Sequence, residues 1–172
     1  MTSIGLLSDT HGYIHPRVFD FFTPCDEIWH AGDIGSIEVC DKLAAFKPFR
    51  AVHGNIDDNK IRSIHPETLH FQIEDLKVMI THIGGYPGRY SGGIKKLIQL
   101  HRPKLFIAGH SHILKVIPDP SMNLLFINPG AAGIQGFHHK ITFMRFKITD
   151  DNIHDLEIME IDRNTILAKS ID

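Results

Sequence analysis

Short apolar runs that each end in a polar turn alternate with helical patterns in the first third of the chain. The runs cover residues 3–7, 26–30 and 49–53 and predict three buried strands. Apolar side chains at helical spacing predict a helix over 15–22, with Pro16 in its first turn, and a second helix that Ser36 caps and that ends near Phe46. This order of strands and helices is typical of a parallel sheet.

The rest of the chain contains a second group of strands with less helix between them. Residues 68–73 and 77–81 flank a short turn and predict an antiparallel hairpin, and a loop rich in Gly and Pro follows at 86–93. A helix is predicted over 93–101 and further strands at 104–108, 114–117, 124–127, 141–148 and 153–161. The last ten residues fit either a short helix or a frayed tail.

Strands that alternate with helices and are followed by strands alone predict a layered α/β fold. We expect an α/β/β/α sandwich, in which two mixed β-sheets pack face to face and helices flank them. The chain has 172 residues, of which 42% are hydrophobic, and this is enough to bury a sizeable core. We therefore expect a single domain spanning residues 1–172.

The charge balance and the two cysteines argue against several kinds of partner and location. A formal net charge of -2, with 18 basic and 20 acidic side chains and no basic block, gives no electrostatic footprint for nucleic acid or an anionic membrane. No run approaches the roughly 20 apolar residues of a membrane-spanning helix. The start of the chain has no signal-peptide pattern, so we expect a cytoplasmic protein in which Cys25 and Cys40 are free, buried thiols.

Carboxylate, amide and imidazole side chains follow five of the predicted strands, at the points where these strands end. The residues are Asp9, His11, Asp33, Asn55, His82, His110 and His112. Open α/β sheets place their ligands at the carboxyl ends of strands, so we expect these side chains to converge. Only position can single them out, because the chain contains 13 histidines.

The mixture of imidazole and carboxylate groups indicates a transition-metal site. Such ligands suit Mn, Fe, Zn, Ni or Co better than Ca or Mg, which take mostly oxygen. Seven ligands are too many for one ion and about right for two. Two ions that share a bridging carboxylate and a bridging hydroxide can hydrolyse a phosphoester by in-line attack on phosphorus.

The same residues resemble the motifs of a known family. Asp9-x-His11, Gly32-Asp33, Gly54-Asn55-x-Asp57, His82 and Gly109-His110-x-His112 resemble the calcineurin-like metallophosphoesterase superfamily, and within it the small bacterial and archaeal YfcE-type phosphodiesterases. The resemblance runs from Ile4 to about Phe146 and includes Asn128-Pro129-Gly130. Five motifs in the right order make a specific match, whereas any one of them alone would be weak.

The resemblance implies a role for each of these residues. It places Asp9, His11 and His112 on a first metal and Asn55, His82 and His110 on a second, with Asp33 bridging the two. The catalytic groups it implies are Asp33, Asn55 and His110, in a dinuclear phosphodiesterase that uses two divalent ions. Mn is the expected metal, with Ni, Fe, Co or Zn as alternatives. The expected substrate is a small phosphodiester, for which a nucleotide-type diester is one candidate, and exposed strands in the C-terminal half could pair two chains.

One position departs from many phosphatases of the superfamily, which have a proton-donating His directly after the Asn. This chain has Ile56 there, so the general acid is unassigned. Asp57 could serve as the acid or could instead orient a ligand. In the loop after His82, Arg89 could contact a phosphate, although an ordinary solvated loop is an equal expectation.

Several other histidines have simpler interpretations. His30 and His53 precede Asp33 and Asn55 on their strands, so we expect them to be buried or to support the ligands. His138 and His139 lie in a loop next to Gly136, where solvated side chains are the better expectation and substrate contact is the alternative.

Two functions compete with the diesterase hypothesis. The retromer subunit that resembles these enzymes is a protein-interaction scaffold with altered ligand positions, whereas this chain retains the full ligand set. A monoesterase that acts on a small phosphorylated metabolite is the second alternative, and Ile56 argues against it.

Overall fold

The computed structural model describes residues 1–169, and their side chains up to residue 166, as twelve strands and five helices. The strands are β1 (Thr2–Leu7), β2 (Glu27–His30), β3 (Phe49–Ala51), β4 (Thr68–Ile73), β5 (Leu76–Thr81), β6 (Gly85–Tyr86), β7 (Arg89–Tyr90), β8 (Leu105–Ile107), β9 (Leu114–Asp119), β10 (Leu124–Pro129), β11 (Lys140–Thr149) and β12 (Asn152–Asp162). The helices are α1 (Arg17–Phe22), α2 (Ile37–Phe46), α3 (Asn59–Ile64), α4 (Ile94–His101) and α5 (Asn164–Lys169).

The strands form two five-stranded sheets and a small hairpin. The first sheet has the order β12-β11-β1-β2-β3, in which β1, β2 and β3 are parallel and β11 and β12 are antiparallel to their neighbours. The second has the order β4-β5-β8-β10-β9, with β5, β8 and β10 parallel and antiparallel strands at both edges. Strands β6 and β7 pair only with each other. Both sheets are therefore mixed, as predicted.

The core has three layers of apolar side chains. Alternate residues of the central strands, such as Ile4, Leu6 and Ile107, fill the space between the sheets. On the outer face of the first sheet, residues of α1 and α2 form a second cluster, and on the outer face of the second sheet α4 packs through Ile94 and Ile98. The predicted α/β/β/α sandwich is confirmed.

The structure corrects several local predictions. Helix α1 begins at Arg17, so Pro16 precedes its first turn instead of lying within it. Helix α3 and the β6–β7 hairpin were not predicted, because an element of two to six residues is too short to show a hydrophobic period. Helix α5 supports the short-helix alternative for the end of the chain, while residues 170–172 lie outside the described residues.

Two other expectations concern cysteines and membranes. Cys25 and Cys40 are both free and buried, as predicted, and burial raises the pKa of the Cys40 thiol to about 11. Both thiols are therefore poor nucleophiles. Within residues 1–169, no helix is long and apolar enough to cross a membrane.

Candidate metal centre

Five loops meet where the carboxyl ends of parallel strands from both sheets adjoin. They carry Asp9 and His11 after β1, Asp33 after β2, Asn55 after β3, His82 after β5, and His110 and His112 after β8. Within the first sheet, the Asp9 N–H donates to the Gly32 carbonyl at 3.0 Å. Between the sheets, Nδ1 of His82 lies 2.8 Å from the Ala31 carbonyl, and the His110 N–H donates to Oδ2 of Asp9 at 3.1 Å.

Six of the seven predicted ligands fall into two compact groups. Asp9, His11 and His112 each offer one ligand atom within 4.8 Å of the others, and Asp33, His82 and His110 form a second group with the same spacing. These are the two groups of this kind among the described residues. The first group contains the three residues that the resemblance places on one metal, and the second contains two of the three that it places on the other, together with Asp33.

The carboxylates of Asp33 and Asp9 each lie close to histidines of both groups. Oδ2 of Asp33 lies 3.2 Å from Nε2 of His82 and 3.8 Å from Nε2 of His11, so it faces both groups. Oδ1 of Asp9 lies 3.1 Å from Nε2 of His112 and 3.9 Å from Nε2 of His82. Asp33 is therefore close to a ligand atom of each group, and its bridging role stays a prediction.

Two buried atoms in the cluster form no hydrogen bond of good geometry and face ligand atoms of other residues in the cluster, which is the strongest indication of a cation site. They are Oδ1 of Asp9 and Nε2 of His82. The other polar atom of each side chain is held by hydrogen bonds. Oδ2 of Asp9 accepts from Ser8 and His110, and Nδ1 of His82 faces the Ala31 carbonyl. A divalent cation fits these donors.

The electrostatics of the cluster also favour a cation. Burial is the largest influence on His82 and opposes its charge, but the Asp33 and Asp9 carboxylates outweigh burial and raise the pKa of His82. Burial opposes the charge of Asp33 too, and the contacts with His82 outweigh it, so the pKa of Asp33 is lowered. Burial lowers the pKa of His11. A metal ion would take the place of the proton that this environment stabilises.

Backbone strain is concentrated in the same residues. Asp9, His11, Asp33, His110 and His112 all have φ between 48° and 66°, in the left-handed region that few residues other than glycine adopt. Such conformations cost of order 1 kcal/mol each and persist where the surroundings enforce them. The folded state therefore includes unfavourable backbone conformations at the five residues whose side chains form the cluster.

Buried hydrogen bonds hold the two loops of the first sheet that carry Asp33 and Asn55. The Asp57 carboxylate accepts N–H bonds from Ile34 at 3.2 Å, Gly35 at 2.7 Å and Gly54 at 2.7 Å. Arg62 donates to the Asp57, Gly54 and Asn55 carbonyls. Gly54 has no room for a side chain, because a Cβ there would lie 2.0 Å from Oδ1 of Asp33. The turn that presents Asn55 is thereby fixed against Asp33.

Two cavities have residues of the cluster in their walls. A cavity of about 700 Å³ has Asn55 and His82 in its wall, together with the cationic side chains Arg62 and Lys96 and the apolar Leu97. A smaller cavity of about 180 Å³ is lined by His110, Ser111, Tyr86 and Lys115. The Lys115 ammonium lies 4.1 Å from the Tyr86 ring centre. A molecule bound at the cluster has room to extend a group into either cavity.

Comparison with known proteins shows the family to which the chain belongs. Residues 2–151 match the calcineurin-like phosphoesterase superfamily domain. The chain belongs to this superfamily. A probable metallophosphoesterase from Methanothermobacter thermautotrophicus is 30% identical over 135 residues, which cover 74% of this chain and 76% of the relative.

Solved structures of the superfamily share the fold at low identity. An archaeal phosphodiesterase has a TM-score of 0.68 and 20% identity, covering 92% of this chain and 99% of that one. Vps29 from Entamoeba histolytica, solved as a complex with Zn²⁺, has a TM-score of 0.69 and 19% identity, covering 94% of this chain and 99% of that one. At these identities the likeness concerns the fold alone. Membership of the superfamily implies divalent metals and phosphoester hydrolysis.

The residues proposed for substrate and acid roles differ in burial and in their contacts with the cluster. Asp57 is buried with both carboxylate oxygens committed to backbone N–H groups, which favours the orienting role over that of the acid. Arg89 lies exposed on β7, and among the described residues no hydrogen bond or ion pair joins it to the cluster. Two tyrosines near Arg89 in the chain differ in surroundings, since Tyr86 lines the smaller cavity and the Tyr90 hydroxyl donates to Asp119 at 2.5 Å. The sequence offered no signal for Lys115, Lys96 or Arg62, because only the fold brings them to the cavities.

One prediction about the other histidines near the centre is wrong. His30 is fully buried, as expected, and lies 2.9 Å from the Thr10 hydroxyl. His138 is half-buried and its Nδ1 lies 3.3 Å from Nδ1 of His112, so the expectation of a solvated loop residue is wrong for it. His139 is exposed, as expected. Burial lowers the pKa of His138, which keeps the ring neutral.

Proposed function

We propose that this phosphoesterase is a dinuclear-metal phosphodiesterase. Asp9, His11 and His112 would hold one divalent ion and Asn55, His82 and His110 the other, with Asp33 between them. The observation that carries the proposal is the pair of groups, with Asp33 close to ligand atoms of both, in which two buried ligand atoms form no hydrogen bond. A single ion would leave one of the groups without its cation.

The protein's own contribution is positioning and charge. Two bound divalent ions would supply an activated water and neutralise the non-bridging oxygens of a phosphoryl group. Asp33 and Asp9 balance the charge of the ions, and the strained loops hold the ligands before binding, so little reorganisation is needed. Asn55 lines the larger cavity and His110 the smaller one, and the ester groups would extend into these spaces.

The residue after Asn55 supports a diesterase over a monoesterase. The Ile56 side chain is 48% exposed and cannot donate a proton, while its N–H donates to Oδ1 of Asp33 at 3.1 Å. Asp57, the neighbouring candidate acid, is committed to the backbone. A phosphoester with a leaving group of low pKa needs no acid, so we expect activated diesters to react best.

The larger cavity supports binding of a sizeable ester group. Its volume of about 700 Å³ lies in the range of small-molecule sites. Lys96 and Arg62 provide positive charge in its wall, and Ile83 and Leu97 provide apolar surface. A small diester, with one group in this cavity, fits better than a nucleic acid, since the chain has no basic block. We place the enzyme in the cytoplasm, with Mn as the expected metal and Zn, Ni, Fe or Co as alternatives.

The test is hydrolysis of bis(p-nitrophenyl) phosphate and p-nitrophenyl phosphate by protein stripped with EDTA, before and after Mn²⁺ is restored. We expect metal-dependent turnover of the diester and much slower turnover of the monoester. Ni²⁺, Co²⁺, Fe²⁺ and Zn²⁺ are assayed in parallel to identify the preferred metal. Faster turnover of the monoester would contradict the diesterase assignment.

A second candidate function is a protein-interaction scaffold. Ile56, Ile83 and Ile113 each directly follow a predicted ligand, and their side chains are 48%, 44% and 56% exposed. Exposed apolar residues around a site are typical of surfaces that bind partners. If neither ester is hydrolysed with any of the five metals, the scaffold becomes the better explanation, and partners should be sought at this surface.

A further inference from the structure

His138 touches a predicted ligand from a loop that the sequence does not connect with the metal centre. Its Nδ1 lies 3.3 Å from Nδ1 of His112, and its Nε2 lies 2.9 Å from the Gly133 carbonyl. Nε2 of His112 is the atom that faces Asp9, at 3.1 Å from Oδ1. The two rings therefore form a chain from a backbone carbonyl to the ligand atom of His112.

When both rings are neutral, the Gly133 carbonyl favours one arrangement of hydrogens, in which a cation and not a hydrogen lies between Nε2 of His112 and Oδ1 of Asp9. A carbonyl only accepts, so Nε2 of His138 carries the hydrogen and its Nδ1 is an acceptor. Nδ1 of His112 must then donate, which leaves a lone pair on Nε2 of His112. A lone pair on that atom is what a metal ligand requires, and the partner of the other ring nitrogen decides which tautomer is present.

The loop that carries His138 is fixed in place. The Arg163 guanidinium, at the end of β12, donates to the Ile134 carbonyl at 3.2 Å and to the Gly136 carbonyl. The Arg163 N–H donates to the carbonyl of His139 at 3.0 Å. Gly136 lets the loop approach, since a Cβ there would lie 2.5 Å from Nδ1 of His112. These contacts hold the acceptor of His138 in position before any metal binds.

We propose that His138 is a positioning residue, which accepts a hydrogen bond from Nδ1 of His112 and so fixes the His112 ring with Nε2 free to bind a divalent ion. The proposal rests on the proposed function, because it takes His112 to be a ligand. His138 itself does not touch the ion or the substrate. Its effect is on the affinity of the site formed by Asp9, His11 and His112.

The direct test is the tautomer of His112 in ¹⁵N-labelled, metal-free protein near neutral pH. We expect ring-nitrogen chemical shifts that correspond to the Nδ1–H form of His112 in the wild type. We expect a mixture of both tautomers in His138→Ala. A wild-type His112 in the Nε2–H form would overturn the proposal without any variant having to fold.

Metal affinity provides a second readout that does not depend on catalysis. Calorimetric titration of stripped protein with Mn²⁺ should show binding about 10- to 100-fold weaker in His138→Ala, the usual effect of losing such a partner. His138→Asn, whose amide oxygen can accept in place of Nδ1, should recover much of the affinity. His139→Ala is the matched control, because this neighbouring side chain is exposed, and it should bind as the wild type does.

The outcomes separate this inference from the proposed function. If His112→Ala loses an ion and His138→Ala binds as tightly as the wild type, His138 has no positioning role. If His112→Ala keeps both ions at wild-type affinity, the metal assignment itself is wrong. If His138→Asn binds as weakly as His138→Ala, the hydrogen bond is not the cause.

Discussion

The buried ring of His30 shows how one residue ties site geometry to pH. Its Nδ1 accepts from the Gly32 N–H at 3.1 Å. Its Nε2 lies 2.9 Å from the Thr10 hydroxyl, which itself donates to the Ile34 carbonyl at 2.9 Å. The neutral ring satisfies all of these contacts, whereas a protonated ring would direct a hydrogen at the Gly32 N–H. Burial lowers the pKa of His30 from 6.5 to about 4.

We predict that His30 makes the folded state less stable in acid. Its pKa is lower in the folded than in the unfolded chain, so the unfolded chain binds more protons between pH 6.5 and 4. The free energy of unfolding should therefore fall as the pH drops through this range, by about 3 kcal/mol from this residue alone. Urea denaturation at several pH values measures the slope. His30→Gln should flatten it, while the exposed His139→Gln should leave it unchanged.

Asp33 allows a test of the bridging position. Asp33→Asn keeps an oxygen to accept from the Ile56 N–H but loses the negative charge between the two groups. We expect metal-dependent diester hydrolysis to fall by at least about 100-fold. Mutation of a residue that only hydrogen-bonds a metal ligand already lowers metal affinity or activity about 10- to 100-fold. Circular dichroism should show a folded protein. Asp20→Asn, on the exposed face of α1, is the control, and substantial activity in Asp33→Asn would contradict the bridging role.

For single residues, the sequence predicts a place in the site when the side chain directly follows a strand. Asp9 and Asp33 come within three residues of β1 and β2, so strand prediction was enough to bring them together. His138 lies 26 residues after His112 in an irregular loop. Its position depends on Arg163 and Gly136, and neither contact leaves a local pattern in the sequence.

At the scale of elements, neighbouring carboxylates perform different tasks. Asp57 joins the loop after β2 to the loop after β3, while Asp58 caps α3 by accepting from the Lys60 and Ile61 N–H groups at 3.0 Å. Asp58 is exposed and Asp57 is buried. The sequence did not predict α3, because this helix buries Ile61 as its one fully covered apolar residue and so has no apolar stripe.

We predict a contrast between Asp57→Ala and Asp58→Ala. The first leaves three backbone N–H groups without an acceptor and should cost about 3 kcal/mol or more of unfolding free energy. The second removes a helix cap and should cost about 1 kcal/mol. Denaturant unfolding of the metal-free variants measures both. Equal losses would show that Asp57 does not brace the two loops.

The metal-binding affinity of the same variants gives a second comparison. Asp57→Ala should weaken Mn²⁺ binding, because the loops that present Asp33 and Asn55 lose their common anchor. Asp58→Ala should bind Mn²⁺ as the wild type does, since its carboxylate contacts only the start of α3.

At the scale of the molecule, the layered fold was predictable and the walls of the site were not. Ile4 and Leu6 belong to the layer between the sheets, and Ile94 and Ile98 to the outer layer. Such placement follows from alternation and helical spacing, which are properties of the sequence. Lys96 and Lys115 reach the cavities from different elements. Their proximity to the cluster depends on how the two sheets are stacked, and no short stretch of sequence encodes that.

The centre also joins the two sheets. The first sheet supplies Asp9, His11, Asp33 and Asn55, and the second supplies His82, His110 and His112. Each proposed ion would take ligands from both sheets. A metal bound in this way stabilises only the state in which the sheets are packed together, because the ligands separate on unfolding.

We predict that restoring Mn²⁺ to EDTA-stripped protein raises its melting temperature. At a free concentration 100 times Kd, each ion should add about 2.7 kcal/mol, which corresponds to about 5 to 10 °C for a chain of this size. Mg²⁺ should give a smaller shift, because it prefers oxygen ligands. Scanning calorimetry with and without each metal measures the effect. Asp33→Asn should lose most of the Mn²⁺ shift, and the same shift in this variant as in the wild type would mean that the ions bind elsewhere.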